Sequence, residues 1–135
     1  MKVEEIMTPS PVTVDLRGTV AEVVDKFLEF EISSVVVVNG NEYLGIVTDK
    51  ELRPFSFPSH AEADSLKGYR KHLNAKVSDI VRSDLPVLYP DMELTQALEI
   101  MVASGAPLLP VVEDDTMTLC GVVTPIDLVK ATRTV

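Results

Sequence analysis

The sequence predicts an α/β fold, of the α+β kind, built from two similar β-α-β-β-α repeats that pack as one module. The string GIVTDKEL at residues 45–52 returns as GVVTPIDL at residues 121–128, a shift of 76 positions. A shift of 74 positions also superimposes two stretches in which apolar residues have helical spacing. Neither copy could bury its apolar helix face alone, so we expect the two copies to pack together with approximate twofold symmetry.

Each repeat is predicted to open with a short strand and an amphipathic helix. The strands are PVTV at residues 11–14 and PVLY at residues 86–89. Thr19 followed by Glu22 is typical of a capping box that starts the first helix. The apolar positions that define the two helix faces follow the i, i+3, i+4, i+7, i+8 pattern, and they are Val20, Val23, Val24, Phe27 and Leu28 in one copy and Leu94, Ala97, Leu98, Met101 and Val102 in the other.

A hairpin and a second helix complete each repeat. The apolar runs Val35–Val38 and Leu109–Val112 are followed by the polar turns NGN and EDDT, and then by a strand that ends in the repeated motif. Asn-Gly between apolar runs is a strong hairpin signal. We therefore place repeat 1 at residues 1–56, a connector at 57–75 and repeat 2 at 76–135.

Composition excludes several classes of partner and location. The chain has 135 residues with 12 Lys and Arg against 21 Asp and Glu, and its net charge of −9 repels phosphate backbones, so we expect no nucleic-acid partner. No apolar stretch approaches the length of a membrane span, and the start of the chain lacks the apolar core of a signal peptide. Cys120 is the only cysteine, which favours a reducing cytoplasm.

Other chemistry finds little support in the sequence. His60 and His72 are twelve residues apart with no Cys pair or Glu at ligand spacing, so we expect no metal site. The acidic run at residues 113–115 is too short for a calcium loop and is typical of a hairpin tip. The chain has no nucleophile elbow, P-loop or G-x-G-x-x-G motif. Cys120 is predicted to be buried and inert, and we expect the protein not to be an enzyme.

The repeated motif has two physical interpretations, and they are compatible. Thr48 and Thr124 each end a strand where a helix begins, and an acid stands three residues later, Glu51 in the first copy and Asp127 in the second. In the first interpretation both motifs are only helix caps. In the second, the helix N-terminus and the Thr hydroxyl bind a phosphate, while the carboxylate accepts hydrogen bonds from ribose hydroxyls.

The order and spacing of these elements resemble those of the paired CBS domain, or Bateman module. The resemblance rests on IMTPSPVTV, on EISSVVVV and GAPLLPVV before the hairpins, and on the two Gly-apolar-apolar-Thr-x-x-acid motifs, and it covers about residues 2–56 and 76–133. It implies that the Thr and the acid hold the phosphate and ribose of an adenosine compound. It also implies that each cleft combines the motif of one repeat with the first strand and the pre-hairpin loop of the other.

Two clefts follow from the resemblance. Cleft A would contain Thr124, Ile126, Asp127, Ile6, Met7, Ile32, Ser33 and Ser34. Cleft B would contain Thr48, Lys50, Glu51, Ile80, Val81, Ala106, Pro107 and Leu108. The apolar members suit a purine face, although plain core packing explains them equally well. Glu51 departs from the usual Asp by one methylene, so we expect cleft A to bind ribose more tightly.

The connector is the only net-positive part of the chain, with 4 basic and 2 acidic residues at 57–76. A short helix is predicted after Ser65. The basic residues that could contact phosphate are Arg53, Lys67, Arg70 and Lys71. A merely solvated basic helix is the alternative.

The function that this resemblance implies is regulatory. We expect a stand-alone module that binds AMP, ADP, ATP, S-adenosylmethionine or a similar adenosyl ligand, without a separate cofactor, and signals to a partner protein that the sequence does not identify. The first alternative is an interaction or scaffold module with empty clefts, and the second is an enzyme that acts on a bound nucleotide. Paired CBS domains commonly dimerise through their helices, which implies a homodimer.

Overall fold

The computed structural model describes residues 1–56 and 74–133. Its elements confirm the α/β (α+β) class. In chain order they are α1 (Val3–Ile6), β1 (Thr8–Pro9), β2 (Thr13–Asp15), α2 (Val20–Phe30), β3 (Ser34–Asn39), β4 (Glu42–Thr48), α3 (Asp49–Ser56), α4 (Val77–Ile80), α5 (Leu94–Ser104), β5 (Leu109–Val112), β6 (Leu119–Val123) and α6 (Pro125–Arg133).

The described residues form two compact units that do not coincide with the two sequence repeats. One unit contains residues 1–11, residues 40–43 and the chain from residue 84 onwards. The other contains residues 12–39 together with the described parts of 44–83. Each unit therefore takes a short helix from the repeat that supplies the smaller part of it. Helix α1 belongs with the second motif, and α4 belongs with the first.

The unit that carries the second motif is built on a sheet with the order β1-β6-β5. Strand β1 pairs antiparallel with β6, with Pro9 opposite Gly121, and β5 pairs antiparallel with β6. The predicted face of α5 is buried at Ala97 and Met101, but Leu98 and Val102 remain 39% and 75% exposed. Within the described chain, part of the apolar face of α5 is therefore left uncovered.

The unit that carries the first motif is built on a sheet with the order β2-β3-β4. Strands β2 and β3 are parallel, and the intervening α2 starts at the predicted cap, because the Thr19 hydroxyl oxygen accepts a hydrogen bond from the Glu22 amide at 3.3 Å. Of the predicted capping box, this is the half that the described residues form. Leu28, placed on the apolar face of α2 by its spacing, is 74% exposed. The buried core of this unit consists of Val14, Val20, Val23, Val35, Val37, Val47, Leu52 and Val77.

The strand predicted at residues 86–89 is wrong in extent. Only Leu88 pairs with a strand, in an isolated parallel bridge to Val111. Its amide donates to the Pro110 carbonyl at 2.8 Å, and its carbonyl accepts from the Val112 amide at 2.9 Å. Pro86 and Pro90 have no amide hydrogen with which to extend the ladder on either side. The matching segment of the first repeat forms β2, at Thr13–Asp15.

The lengths of the helices can be compared with the length that a membrane span requires. None of the helices formed by residues 1–56 and 74–133 is long and apolar enough to span a membrane.

Candidate ligand-binding site

The second motif forms a reciprocal cap at the junction of β6 and α6. The Thr124 amide donates to Asp127 Oδ2 at 2.9 Å, and the Asp127 amide donates to Thr124 Oγ1 at 3.3 Å. The capping interpretation is therefore correct for this copy. Within the described chain, the Thr124 hydroxyl hydrogen and the other carboxylate oxygen, Oδ1 of Asp127, make no hydrogen bond to protein. One donor and one charged acceptor stay available to a ligand.

In the first motif, the side chains of Thr48 and Glu51 are hydrogen-bonded to each other. Glu51 Oε1 accepts from the Thr48 amide at 3.0 Å and from the Thr48 hydroxyl at 2.9 Å. The same hydroxyl oxygen accepts from the Lys50 amide at 3.2 Å. Thr48 is only 5% exposed, while Thr124 is half-buried. The extra methylene of Glu51 lets its carboxylate turn back onto the hydroxyl, so this Thr has no hydrogen left to donate.

The glycine of each motif is required by a chain segment from the other repeat. A Cβ on Gly121 would lie 2.7 Å from the Thr8 carbonyl oxygen and 3.0 Å from Met7 Sδ. A Cβ on Gly45 would lie 2.5 Å from the Arg82 carbonyl oxygen and 2.7 Å from a methyl of Val81. The structure thus brings Met7 to the second motif and Val81 to the first, as the resemblance implied.

A cavity of about 270 Å³, open to solvent, lies beside the second motif, and its described lining residues belong to a single compact unit. The residues that line it are Met1, Glu5, Ile6, Asp127, Lys130 and Ala131. Ile6 and Asp127 were predicted for cleft A. The sequence reasoning missed Glu5 and Lys130, although Lys130 follows Asp127 by three residues on α6, a spacing that places two side chains on one helix face.

The pre-hairpin residues of cleft A, Ile32, Ser33 and Ser34, belong to the compact unit of the first motif. The Ser33 carbonyl accepts a hydrogen bond from the Asp49 amide at 3.0 Å, at the start of α3. Ile32 packs against the core of that unit. Their place beside Thr124 stays a prediction.

The remaining residues predicted for cleft B are also divided between the two compact units. Ile80 and Val81 are half-buried and pack against the core that contains Val47 and Leu52, so core packing accounts for them. The three pre-hairpin residues belong to the other unit, where Ala106 and Leu108 are buried and Pro107 is exposed. Their contribution to a ligand site stays a prediction.

The basic residues predicted to contact phosphate are mostly outside the described chain. Lys67, Arg70 and Lys71, together with the helix predicted after Ser65, fall between residues 56 and 74. Arg53 and Lys50 are exposed on α3, and Ile126 is 60% exposed on α6. His60 and His72 also fall outside the described residues.

Cys120 differs in part from its prediction. It is half-buried rather than fully buried, and its Sγ lies 3.6 Å from Glu113 Oε1. Burial, followed by the negative charge of Glu113, raises the pKa of the thiol above its usual value, which lowers the thiolate fraction. Among the described residues, no group of three or more His, Cys, Asp or Glu side chains is placed to hold a metal ion.

These features are those of a tandem CBS module. The CBS domain family model matches the chain twice, at residues 3–56 and 77–133. The chain belongs to the CBS-domain family, which confirms the resemblance seen in its sequence.

Two relatives of known name are enzymes that are much longer than this chain. The chain is 29% identical over 130 residues to inosine-5'-monophosphate dehydrogenase of Methanocaldococcus jannaschii, which covers 96% of this chain but only 23% of that enzyme. It is 28% identical over 134 residues to the A-adding tRNA nucleotidyltransferase of Aquifex aeolicus, covering 98% of this chain and 14% of the enzyme. The chain therefore spans less than a quarter of the length of these two relatives.

Among solved structures, the fold is similar to that of CBSX2 in complex with AMP. The TM-score is 0.80 at 21% sequence identity, and the match covers 98% of this chain and 96% of that one. CBSX2 is a CBS-pair protein from Arabidopsis thaliana. A likeness at this identity shows the shared fold.

Proposed function

We propose that the protein is a regulatory module that binds an adenosine-containing ligand at the Thr124–Asp127 motif and passes the signal to a partner protein. The observation that carries the proposal is the free hydrogen-bonding capacity of Asp127, which lines a cavity, and of Thr124, which is bonded to Asp127. The complex of CBSX2 with AMP supports an adenine nucleotide as the ligand class. The match to a region of inosine-5'-monophosphate dehydrogenase is consistent with a module that serves a larger protein.

The proposed binding mode follows from the free groups. The Asp127 carboxylate already holds the Thr124 amide through Oδ2, so the remaining oxygen, Oδ1, accepts from a ribose hydroxyl. The Thr124 hydroxyl donates to a phosphate oxygen or to another polar group on the 5′ carbon. The volume of about 270 Å³ is slightly below the range of roughly 300–1,000 Å³ that is typical of small-molecule sites, so it suits the sugar and its 5′ substituent.

The first motif has a different role in this proposal. Since the one hydrogen of the Thr48 hydroxyl is donated to Glu51, donating it to a phosphate would first require breaking this 2.9 Å bond. A hydrogen bond to a charged group contributes about 1.5–3 kcal/mol, so this cost is comparable with the gain from a new phosphate contact. We therefore assign the first motif a structural role and expect weak ligand binding there.

A thermal-shift screen of adenosine, AMP, ADP, ATP and S-adenosylmethionine tests the proposal. A ligand at 100 times its Kd stabilises the folded protein by about 2.7 kcal/mol, which corresponds to several degrees for a domain of this size. The absence of a shift with every compound, confirmed by calorimetry, would contradict the proposal and favour an interaction module with empty clefts. Turnover of a bound nucleotide would instead indicate an enzyme.

The assignment of the site is tested by a matched pair of variants. Asp127→Asn keeps the size of the side chain and an oxygen acceptor but removes the charge, so we expect ligand binding to weaken ten- to a hundredfold. Glu51→Gln makes the same change at the first motif and should have a much smaller effect on affinity. The reverse order in a calorimetric titration would show that the Asp127 motif is only a cap.

We further propose that the protein is a homodimer that associates through its helices. The support is exposed apolar surface on two helices, at Leu28 and Phe30 on α2, which are 74% and 47% exposed, and at Leu98 and Val102 on α5. Burial of such side chains is a general driving force for association. Light scattering should return twice the chain mass at micromolar concentration, and a monomer mass would contradict the dimer.

A further inference from the structure

We propose that Glu5 makes the cavity beside the Thr124–Asp127 motif selective for adenosine ligands that carry no more than one phosphate. The inference rests on the proposed function, and it names the ligand class at the same site. The selectivity comes from the charges of the residues that line the cavity.

The lining contains more negative than positive charge. Glu5 and Asp127 contribute two carboxylates, and Lys130 contributes one ammonium group. The amino group of Met1 lies 3.6 Å from the Glu93 carboxylate, which offsets its charge. Within the described chain Lys130 forms no salt bridge, so its ammonium group is available to a ligand. One phosphate group can pair with Lys130, but among the described residues of the lining a second or third finds no further cation that is not already paired with a carboxylate.

Glu5 is held at the cavity by a hydrogen bond to the backbone. It lies on α1, and its Oε2 accepts a hydrogen bond from the Lys2 amide at 2.6 Å, which fixes the side chain at the start of the helix. A backbone amide orients the carboxylate but does not neutralise it. Each phosphate beyond the first therefore meets a fixed like charge, in a chain whose net charge is already −9.

The neighbouring residue provides a matched control. Glu4 lies beside Glu5 on α1 and is also exposed, but it does not line the cavity. Glu5→Gln and Glu4→Gln change the net charge of the protein by the same amount. Gln at position 5 can still accept the hydrogen bond from the Lys2 amide, so α1 should keep its start. A difference between the two variants then reports the cavity and not the general field of the protein.

The experiment is a calorimetric titration with adenosine, AMP and ATP at one ionic strength, with EDTA present so that no Mg²⁺ masks the phosphates. We expect the wild type to bind AMP at least fivefold more tightly than ATP. Glu5→Gln should reduce this ratio to near one, and Glu4→Gln should leave it unchanged. Lys130→Met should weaken AMP binding several-fold without a matching loss for adenosine. Circular dichroism melts of each variant establish that it is folded.

The results that would contradict the charge inference differ from the result that would contradict the proposed function. If the wild type binds ATP as tightly as AMP or more so, the charge inference is wrong while the proposed function stands. Equal effects of Glu4→Gln and Glu5→Gln on the ratio would also overturn it, since the field of the whole protein would then account for the selectivity. If no adenosine compound binds to the folded wild type, the proposed function itself fails, and the inference fails with it.

Discussion

The turns at Thr48 and Thr124 share one sequence pattern, but they differ in which side-chain donors and acceptors remain free to bind a ligand. At Thr124 the hydroxyl hydrogen and one carboxylate oxygen of Asp127 have no protein partner among the described residues. At Thr48 the hydroxyl hydrogen is held by Glu51, and the side chain is buried. A difference of one methylene in the acid thus accompanies a cap that leaves a donor and a charged acceptor free at Thr124, and a cap whose hydroxyl hydrogen is already bonded at Thr48.

The largest effect that tests this comparison is expected at the motif glycines, where both copies should behave alike. Gly45→Ala would place a methyl group 2.5 Å from the Arg82 carbonyl oxygen, so the backbone must move, and we expect a loss of about 3 kcal/mol of stability. Gly121→Ala meets the Thr8 carbonyl at 2.7 Å and the flexible Met7 side chain, and we expect a loss of about 2 kcal/mol. Urea denaturation measures both values.

Gly40→Ala is the control for these variants. Gly40 has a positive φ of 62° in the turn between β3 and β4, and no atom lies within 4 Å of the position of its missing Cβ. Its substitution therefore costs only the conformational strain, about 1 kcal/mol. If Gly45→Ala is no more destabilising than Gly40→Ala, the close approach of Arg82 is not a real constraint on the motif.

The next effect should separate the two copies. Thr48→Val keeps the shape of a buried side chain but removes two hydrogen bonds, to Glu51 and from the Lys50 amide, and we expect it to cost about 1–2 kcal/mol of stability. Thr124→Val removes one bond of 3.3 Å and should cost about 0.5 kcal/mol. The order should reverse for AMP affinity, which Thr124→Val should reduce at least fivefold and Thr48→Val should leave nearly unchanged.

Denaturation and calorimetry on the same two proteins measure this reversal. Equal losses of affinity in the two variants would mean that both motifs bind ligand and that the closed arrangement at Thr48 opens readily. Equal losses of stability would mean that the burial of Thr48 adds nothing to its role as a cap.

Much of the fold could be predicted because its signals are local. Helix starts follow from capping residues such as Thr19, and the hairpin between β3 and β4 follows from Asn39-Gly40 between apolar runs. The motif itself was visible through its repetition. These features depend on neighbours in the chain, which periodicity and turn chemistry report well.

The rest depends on contacts between distant segments. The pairing of α1 with the second motif was implied by the family resemblance and by no local pattern. Glu5 and Lys130 line one cavity although 125 positions separate them in the chain, so their shared location could not be inferred from spacing. Leu28 and Val102 fit the apolar helix faces by period, yet they are exposed, because periodicity shows which residues share a face but not how much of that face is covered.

The smallest expected effect at neutral pH lies at Tyr43, where the second repeat has Leu119 under the 76-position shift. Tyr43 is 6% exposed, and its hydroxyl makes no hydrogen bond within the described chain. A buried hydroxyl without a partner is unfavourable, so Tyr43→Phe should be as stable as the wild type or up to about 1 kcal/mol more stable at pH 7. A loss of more than 1 kcal/mol would show that the hydroxyl does have a stabilising partner.

The pH dependence of Tyr43 gives a second measurement on the same variant. Burial, followed by the negative charge of Asp84, raises the pKa of Tyr43 from 10.0 to about 12. Since the folded state favours the protonated phenol, the stability from this residue is complete below pH 10 and is lost as the pH rises from 10 to 12. We expect the wild type to lose about 1 kcal/mol more stability than Tyr43→Phe between pH 9 and pH 11.

Tyr89→Phe, at a half-buried tyrosine, is the matched control, and it should keep the pH dependence of the wild type because Tyr43 still titrates in it. If Tyr43→Phe and Tyr89→Phe show the same slope in this range, groups other than Tyr43 control the alkaline loss of stability.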